Sequence, residues 1–90
     1  MKYFDWNPDK NSLLQTERDI SFEDVLVAIN EDRLLDIIHH PNSKKYPDQK
    51  IFVIGINHYA YLVPFIETET IIFLKTIIPS RKATKEYLIN

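Results

Sequence analysis

Three basic side chains near one end of the chain have the types and spacing of a phosphate-binding group. Arg81, Lys82 and Lys85 follow soon after Pro79 and Ser80. A planar guanidinium can donate two hydrogen bonds to the oxygens of one phosphate, and a lysine ammonium adds a point charge. We therefore predict a site for an external polyanion, in which Arg81 is the main ligand. Ser80, Lys82 and Lys85 would make further phosphate contacts.

The elements on either side of these cations are predicted to be a strand and a helix. The run "TIIFLKTII" predicts a strand that Pro79 ends, and Ser80 is a good N-cap for a last helix. Basic residues in a first helical turn oppose the helix dipole at about 0.3 kcal/mol or more each, so a bound anion would explain them. Lys75, in the strand, would add a fourth cation. The alternative is a solvated helix face with Glu86 opposite Lys82.

Two further helices are predicted near the start of the chain. Asn7 and Pro8 are an N-cap and a proline at the first helical position, which predicts a short helix to about residue 17. Ser21 can cap the amide of Asp24 at the start of a second helix. These helices would precede every predicted strand.

Four short runs rich in β-branched and aromatic residues follow: "LLDII", "KIFVIGI", "YAYLVPF" and "TIIFLKTII". Short connections favour antiparallel pairing, and Asn57-His58 has the length of a two-residue hairpin turn. Pro64 cannot donate to a ladder, so it marks a strand end, a bulge or an edge. The prediction is one α+β domain over residues 1–90. It has two N-terminal helices, a four-stranded antiparallel sheet and a C-terminal helix.

The composition excludes several classes of protein. No apolar run approaches the roughly 18 residues of a membrane span, so we expect no membrane segment, and the absence of cysteine fits a cytoplasmic protein. No metal site is predicted, because His39 and His40 are adjacent rather than at a ligand spacing. No phosphate-binding cofactor loop is predicted either, since the only glycine, Gly55, lies in a predicted strand.

The formal net charge of −2 conceals a division along the chain. Residues 1–36 carry four basic and nine acidic side chains, whereas residues 37–90 carry seven basic and four acidic ones. An anion is therefore expected to bind the second part of the chain, where the cations are concentrated.

Three separated segments, "FDWNPDKN", "ISFEDV" and "KTIIPSRKATKEYL", match a pattern that opens with Phe-Asp/Glu-Trp-Asp/Asn. In that pattern a lysine lies four residues after the tryptophan, as Lys10 follows Trp6. Its closing part, Ile-Ser-Ala-Arg-Lys-Ala and then Glu and Tyr, is similar to residues 78–83 with Glu86 and Tyr87. The chain thus resembles the BrnT-like toxins of bacterial type II toxin-antitoxin modules.

The resemblance implies a RelE-like fold and a ribonuclease that arrests growth by cutting RNA. It also implies a DNA-binding antitoxin as partner, in a 2:2 assembly. Where the family often has Lys-His-Gly, this chain has Glu17-Arg18-Asp19, so Arg18 occupies the position of a histidine. The sequence pI of about 5.8 means that any RNA affinity must come from a local patch.

Metal-free RNA cleavage needs a base for the 2′-hydroxyl proton, cations for the phosphorane and an acid for the leaving oxygen. On this hypothesis Arg81 holds the phosphate, with Lys10, Lys75 and Lys82 as secondary candidates. An arginine stays protonated, so Arg18 would stabilise charge rather than accept a proton.

Three histidines are left for proton transfer, and the sequence does not choose among them decisively. His39 and His40 end a predicted strand and face opposite ways, so at most one can point into a shared site; we name His40. His58 is better explained as a turn residue. Tyr87 can pack on the sheet or stack with a base, and packing is favoured.

The rival hypothesis is a non-catalytic interaction domain of the same fold. The strands are apolar on both faces, and Tyr59, Tyr61, Phe73 and Ile77 could then serve to dock another chain. The acidic balance and the missing family histidine favour this rival.

Overall fold

The computed structural model describes residues 2–42 and 44–89, in which six strands and three helices are formed. In chain order these are β1 (Tyr3–Trp6), α1 (Pro8–Arg18), α2 (Phe22–Asn30), β2 (Leu34–His39), β3 (Gln49–Ile56), β4 (Tyr59–Glu67), β5 (Ile71–Leu74), β6 (Ile78–Pro79) and α3 (Arg81–Tyr87). The sheet order is β1-β5-β4-β3-β2, and β6 also pairs with β4. Over these ranges no helix has both the length and the apolar character needed to cross a membrane.

The predicted four-stranded antiparallel sheet is wrong, because the sheet has six strands and is mixed. The first missed strand, β1, pairs in parallel with β5, from Tyr3 opposite Ile71 to Trp6 opposite Leu74. Four residues are too few to show a strand period. The pairing also joins two segments far apart in sequence, which no local pattern can reveal.

The second missed strand, β6, results from a break in the predicted run "TIIFLKTII". β5 pairs with β4 as far as Leu74 opposite Phe65, and β6 resumes with Ile78 opposite Leu62. Three residues of one strand therefore face two of the other, which is a β-bulge. Pro64 lies in β4 opposite this bulge and pairs on its other side with β3. A proline that lacks an N–H is thus accommodated inside the sheet.

The bulge changes which side chains share a face. The extra residue reverses the alternation, so Ile77 is buried in the same cluster as Leu74 instead of sharing the face of Phe73 and Lys75. Pro79, which we expected to end the pairing, is itself paired with Tyr61. The chain therefore stays hydrogen-bonded to β4 until α3 begins.

The two faces of the sheet are covered by different helices. On one face α1 and α2 pack over a cluster centred on Phe22, Val25, Ile54 and Leu74, all of which are almost completely buried. On the other face α3 covers a smaller cluster that includes Val53. We refer to these as the α1/α2 face and the α3 face.

The local signals for helix starts and for the hairpin are confirmed. Asn7, Ser21 and Ser80 are the N-caps of α1, α2 and α3, and each side chain accepts a hydrogen bond from a backbone amide of its first turn. Asn57 and His58 form the predicted turn with φ of 52° and 63°. Both lie in the left-handed region that a tight hairpin requires, although neither is glycine.

Candidate nucleic-acid interface

The start of α3 is fixed to β4 by hydrogen bonds on both sides of one residue, Ala60. The Ser80 amide donates to the Ala60 carbonyl at 3.0 Å, and the Ala60 amide donates to the Thr84 hydroxyl at 2.9 Å. That hydroxyl in turn donates to the Ser80 carbonyl at 2.7 Å. Sequence reasoning missed Thr84, whose only signal is its place beside Ala83 on the buried side of the helix. These bonds give the residues after Ser80 a defined position.

The solvent side of α3 carries the cations predicted to bind phosphate. Arg81, Lys82 and Lys85 are exposed, and at about 100° per residue they lie within an arc of roughly 100°. None of them forms an ion pair with a described carboxylate, and the alternative pair between Glu86 and Lys82 is not formed. Since α3 has only seven residues, the side-chain charges rather than the helix dipole would have to attract an anion.

Arg18, the last residue of α1, is brought to the same junction from a distant part of the sequence. Its Nη1 donates to the Ile77 carbonyl at 2.6 Å. Ile77 is three residues before Ser80, so the guanidinium lies within about 10 Å of the start of α3. We call Arg18, Arg81, Lys82 and Lys85 the junction cations.

The residue after Arg18 ends α1 in a left-handed conformation. Asp19 is the C-cap of α1 and has φ 55°, ψ 40°, a conformation that glycine adopts most easily. This turn fixes the direction in which the chain leaves α1 towards α2.

Lys10 and Lys75 follow β1 and β5, which are paired with each other. Trp6 and Leu74 are paired in parallel register, so the segments that follow them leave the sheet side by side. Lys10 is in the first turn of α1 and precedes Arg18 by eight residues, or about 12 Å of helix. Lys10 is thus separated from Arg18 by most of the length of α1. Lys75, in contrast, lies two residues, or at most about 7 Å of chain, before the Ile77 carbonyl that Arg18 contacts. Neither lysine is ion-paired to a described carboxylate.

His40 is not brought to the junction. Its Nδ1 accepts from the Asn42 amide at 3.0 Å, and its ring centroid is 4.6 Å from that of Tyr46. The His40 amide donates to the carbonyl of Gln49, at the start of β3. Ala60 is level with the other end of β3, about 20 Å away along the strand. The predicted shared site of His40 and Arg81 therefore has no geometric support.

His58 is the histidine that the fold places nearest to the junction. It lies two residues, or about 7 Å of strand, from Ala60, and it lines a cleft of about 350 Å³ together with Arg33 and Leu88. Sequence reasoning identified its turn but could not place the turn beside α3. Within the described ranges, no cluster of three or more histidine and carboxylate side chains is arranged to hold a metal ion.

Tyr87 packs against the sheet, as favoured from the sequence. It belongs to the cluster under α3, and its hydroxyl donates to Asp36 Oδ2 at 2.6 Å. This hydrogen bond, together with burial and the negative charge of Asp36, raises the pKa of Tyr87 above its usual value. Tyr87 therefore anchors the end of α3 to the sheet, and its ring is not free to stack with a base.

Comparisons of the chain with models of protein families, with curated proteins and with solved structures gave no match. The resemblance to BrnT-like toxins therefore stays a hypothesis based on the three sequence segments. A function for this chain is inferred below from its residues and their arrangement.

Proposed function

We propose that this protein is the toxin of a type II toxin-antitoxin module, and that it acts in the cytoplasm as a metal-free endoribonuclease. The observation that carries the proposal is the hydrogen bond from Arg18, on α1, to the Ile77 carbonyl, three residues before the N-cap of the helix that carries Arg81 and Lys82. Cations placed together without carboxylate partners repel one another unless an anion binds. RNA is the anion that the resemblance implies.

The junction cations have distinct roles in this proposal. Arg81 holds the scissile phosphate through two guanidinium N–H groups, because its side chain is exposed at the start of α3. Arg18 stabilises the additional negative charge of the phosphorane from the opposite side of the sheet edge. Lys82 and Lys85 contact the same backbone, and Lys10 with Lys75 would hold a phosphate farther along it.

Proton transfer is assigned to His58 in place of His40. A general base must come within hydrogen-bond reach of the proton it removes, directly or through one water. His58 is on the hairpin next to Ala60, whereas His40 is about 20 Å away along β3 with Nδ1 already accepting a hydrogen bond. An imidazole near the junction can serve as base at neutral pH.

The proposed partner is a DNA-binding antitoxin that covers the part of the α3 face left open by α3. Helix α3 runs from β4 towards β2, since Tyr87 reaches Asp36, and so does not cover β5 and β1. Tyr3 on β1 is 70% exposed, and Ile78 on β6 is 42% exposed. Tyr3 is level with the Glu67 end of β4, whereas Ile78 pairs with Leu62, about 17 Å away along the strand. A partner that contacts both side chains must therefore cover this length of β4.

The second candidate function is a non-catalytic interaction domain. The observation that favours it is the arginine at position 18, which supplies charge but cannot act as a base. In that case the open part of the α3 face would be the functional surface, and the junction cations would contribute only to recognition.

Incubation of the purified protein, freed of any partner, with labelled single-stranded RNA in EDTA tests the proposal. We expect cleavage of the wild type in the chelator and its loss in Arg81→Ala. Growth arrest on expression together with intact RNA would overturn the nuclease and leave the interaction domain. Co-purification with the product of the neighbouring reading frame would support the antitoxin, whereas a free monomer without growth effect would contradict both functions.

A further inference from the structure

A cleft of about 380 Å³ lies between the corner that joins α1 to α2 and the hairpin that joins β3 to β4. Asp19 and Asp24 line it from the corner, and Asn57 and Tyr61 line it from the hairpin side. The volume is within the range of sites that hold a small molecule or one part of a larger ligand. None of the roles proposed above uses this cleft.

One wall of the cleft is an aromatic ring held in place from behind. Tyr61 is half-buried and packs its inner side against the core under α1 and α2. The ring of Tyr59 meets it edge-on, with centroids 5.7 Å apart and an interplanar angle of 68°. A ring supported in this way can stack against a flat ligand without first being ordered.

The opposite wall offers hydrogen-bond acceptors. Asp24 is occupied, because its Oδ2 accepts the Ser21 amide at 2.9 Å in the cap of α2. Asp19 forms no ion pair with a described residue and is held at the corner by its left-handed backbone. A carboxylate accepts hydrogen bonds from the amino group of a nucleobase, and guanine presents two adjacent N–H groups to its two oxygens.

Both walls of the cleft are connected to the junction through the chain. Asp19 directly follows Arg18, whose guanidinium binds the Ile77 carbonyl. Tyr61 is paired with Pro79, two residues before Arg81. A base in the cleft would therefore leave its own phosphate near the corner that carries Arg18, within the length of one nucleotide.

We propose that this cleft is a nucleobase subsite that accepts an unpaired guanine, stacked on Tyr61 and hydrogen-bonded to Asp19. The proposal rests on the proposed function and names the specificity of the same site. The cations bind any RNA through its backbone, whereas the cleft selects the base next to the bound phosphate. Cleavage would then occur next to guanine in single-stranded RNA.

Binding of non-cleavable oligonucleotides to the purified protein tests the subsite. Fluorescence anisotropy compares three 2′-O-methyl hexamers, which have uracil at every position, one central guanine, or one central abasic residue. Wild type should bind the guanine hexamer about tenfold more tightly than the abasic hexamer, the size expected for one stacked base. It should also bind guanine more tightly than uracil, because only guanine offers two adjacent N–H groups to the Asp19 carboxylate. Asp19→Asn tolerates the left-handed backbone and should remove this preference.

Variants of Tyr61 distinguish stacking on its ring from hydrogen bonding to its hydroxyl group. Tyr61→Leu should lower guanine binding to the abasic level, whereas Tyr61→Phe should retain it. Tyr46→Leu, the same change at another half-buried tyrosine, which packs against His40, is the matched control and should alter nothing. If Tyr61→Leu lowers the thermal midpoint by more than a few degrees, its loss of binding could reflect unfolding. The guanine preference of Asp19→Asn then decides whether the subsite exists.

The outcomes distinguish the subsite from the nuclease. Equal affinity of wild type for all three hexamers, with Arg81→Ala weakening all of them, overturns the subsite and leaves the phosphate site intact. A guanine preference that survives Asp19→Asn also overturns it. If wild type binds none of the hexamers, the proposed function fails and the subsite fails with it.

Discussion

Two regions of this small protein contain several cations, and they differ in what those cations contact. Where β3 begins and β4 ends, Lys2 and Lys50 both pair with Glu67, with 3.7 Å between Lys50 Nζ and the carboxylate. The hydrogen bond from Lys2, aided by the charge of both lysines, holds the pKa of Glu67 below its usual value. We call these residues the Glu67 cluster. At the junction, the four cations form no ion pair with a described carboxylate.

The difference shows which positive charges are available to an external anion. In the Glu67 cluster the chain supplies its own counter-charge, so a phosphate would have to compete with a carboxylate. At the junction the only described acceptor of Arg18 is a neutral carbonyl, and Arg81 is exposed. A charge count along the sequence cannot separate the two regions, because each of them combines one cation from residues 1–36 with one or more cations from residues 37–90.

Arg81→Ala tests this comparison with the largest expected effect. We expect RNA cleavage to fall by about a hundredfold, because a group that stabilises transition-state charge is lost. Lys50→Ala in the Glu67 cluster is the matched control and should change cleavage by less than twofold. Both variants should melt within a few degrees of wild type, since exposed cations contribute little stability. A large fall in the Arg81→Ala midpoint would instead make Arg81 structural.

The histidines provide a second test. His58→Asn should lower cleavage by about a hundredfold, because a general base contributes on the order of 10²-fold or more. Asparagine also tolerates the left-handed backbone at this turn, so the hairpin should remain formed. His40→Asn should leave cleavage within twofold. If His40→Asn instead lowers the cleavage rate by about a hundredfold and His58→Asn leaves it within twofold in the same assay, then His40 is the base and the assignment to His58 is wrong.

Arg18→Ala should have an intermediate effect on both function and stability. Cleavage should fall by about tenfold. The unfolding free energy should fall by about 1 kcal/mol, because the Ile77 carbonyl loses its hydrogen bond. Rate measurements and thermal melts check the two expectations. Loss of stability without loss of rate would show that Arg18 only supports the bulge.

Asp19→Gly tests the corner that positions Arg18. Glycine adopts φ near 55° without strain, although it also adds entropy to the unfolded chain. The net gain should be about 0.5 kcal/mol, or a rise of about 2–4 °C in the thermal midpoint. Asp9→Gly, in the first turn of α1, should lower the midpoint instead. An unchanged or lower midpoint for Asp19→Gly would contradict the assigned strain.

The smallest effect is expected from acid titration of the Glu67 cluster. The pKa of Glu67 in the folded state is below the usual 4.5, so folding favours the charged form of this carboxylate. The stability it contributes is present above about pH 4.5 and is lost as the pH falls through the folded-state pKa. Urea unfolding between pH 3 and 6 should therefore show a shallower acid dependence for Glu67→Gln. Identical curves would show that these exposed ion pairs contribute nothing.

Local chemistry was sufficient to predict the helix starts and the hairpin. Asn7, Ser21 and Ser80 were recognisable as N-caps because a cap depends on residues within three positions of it. The turn at Asn57-His58 could be predicted for the same reason. The position of His58 beside the junction could not be predicted, because it depends on the long-range pairing of β4 with β6.

The candidate site was only partly predictable. The residues after Pro79 form one group because they are consecutive, and this could be read from the sequence. The contact of Arg18 with the Ile77 carbonyl depends on the length and direction of α1 and could not be predicted. The large distance between His40 and the junction depends on the register of β2 with β3, which runs from Leu34 opposite Ile54 to His39 opposite Lys50.

The amino-acid sequence by itself determined where helices begin, where the hairpin turns and which cations are neighbours along the chain. Only the tertiary structure decided that the sheet is mixed, that a bulge opposite Pro64 buries Ile77 with Leu74, and that Arg18 binds the Ile77 carbonyl. Caps and turns are stabilised by contacts within a few residues. Strand order, bulges and long-range hydrogen bonds are instead selected by how the whole chain buries its apolar surface.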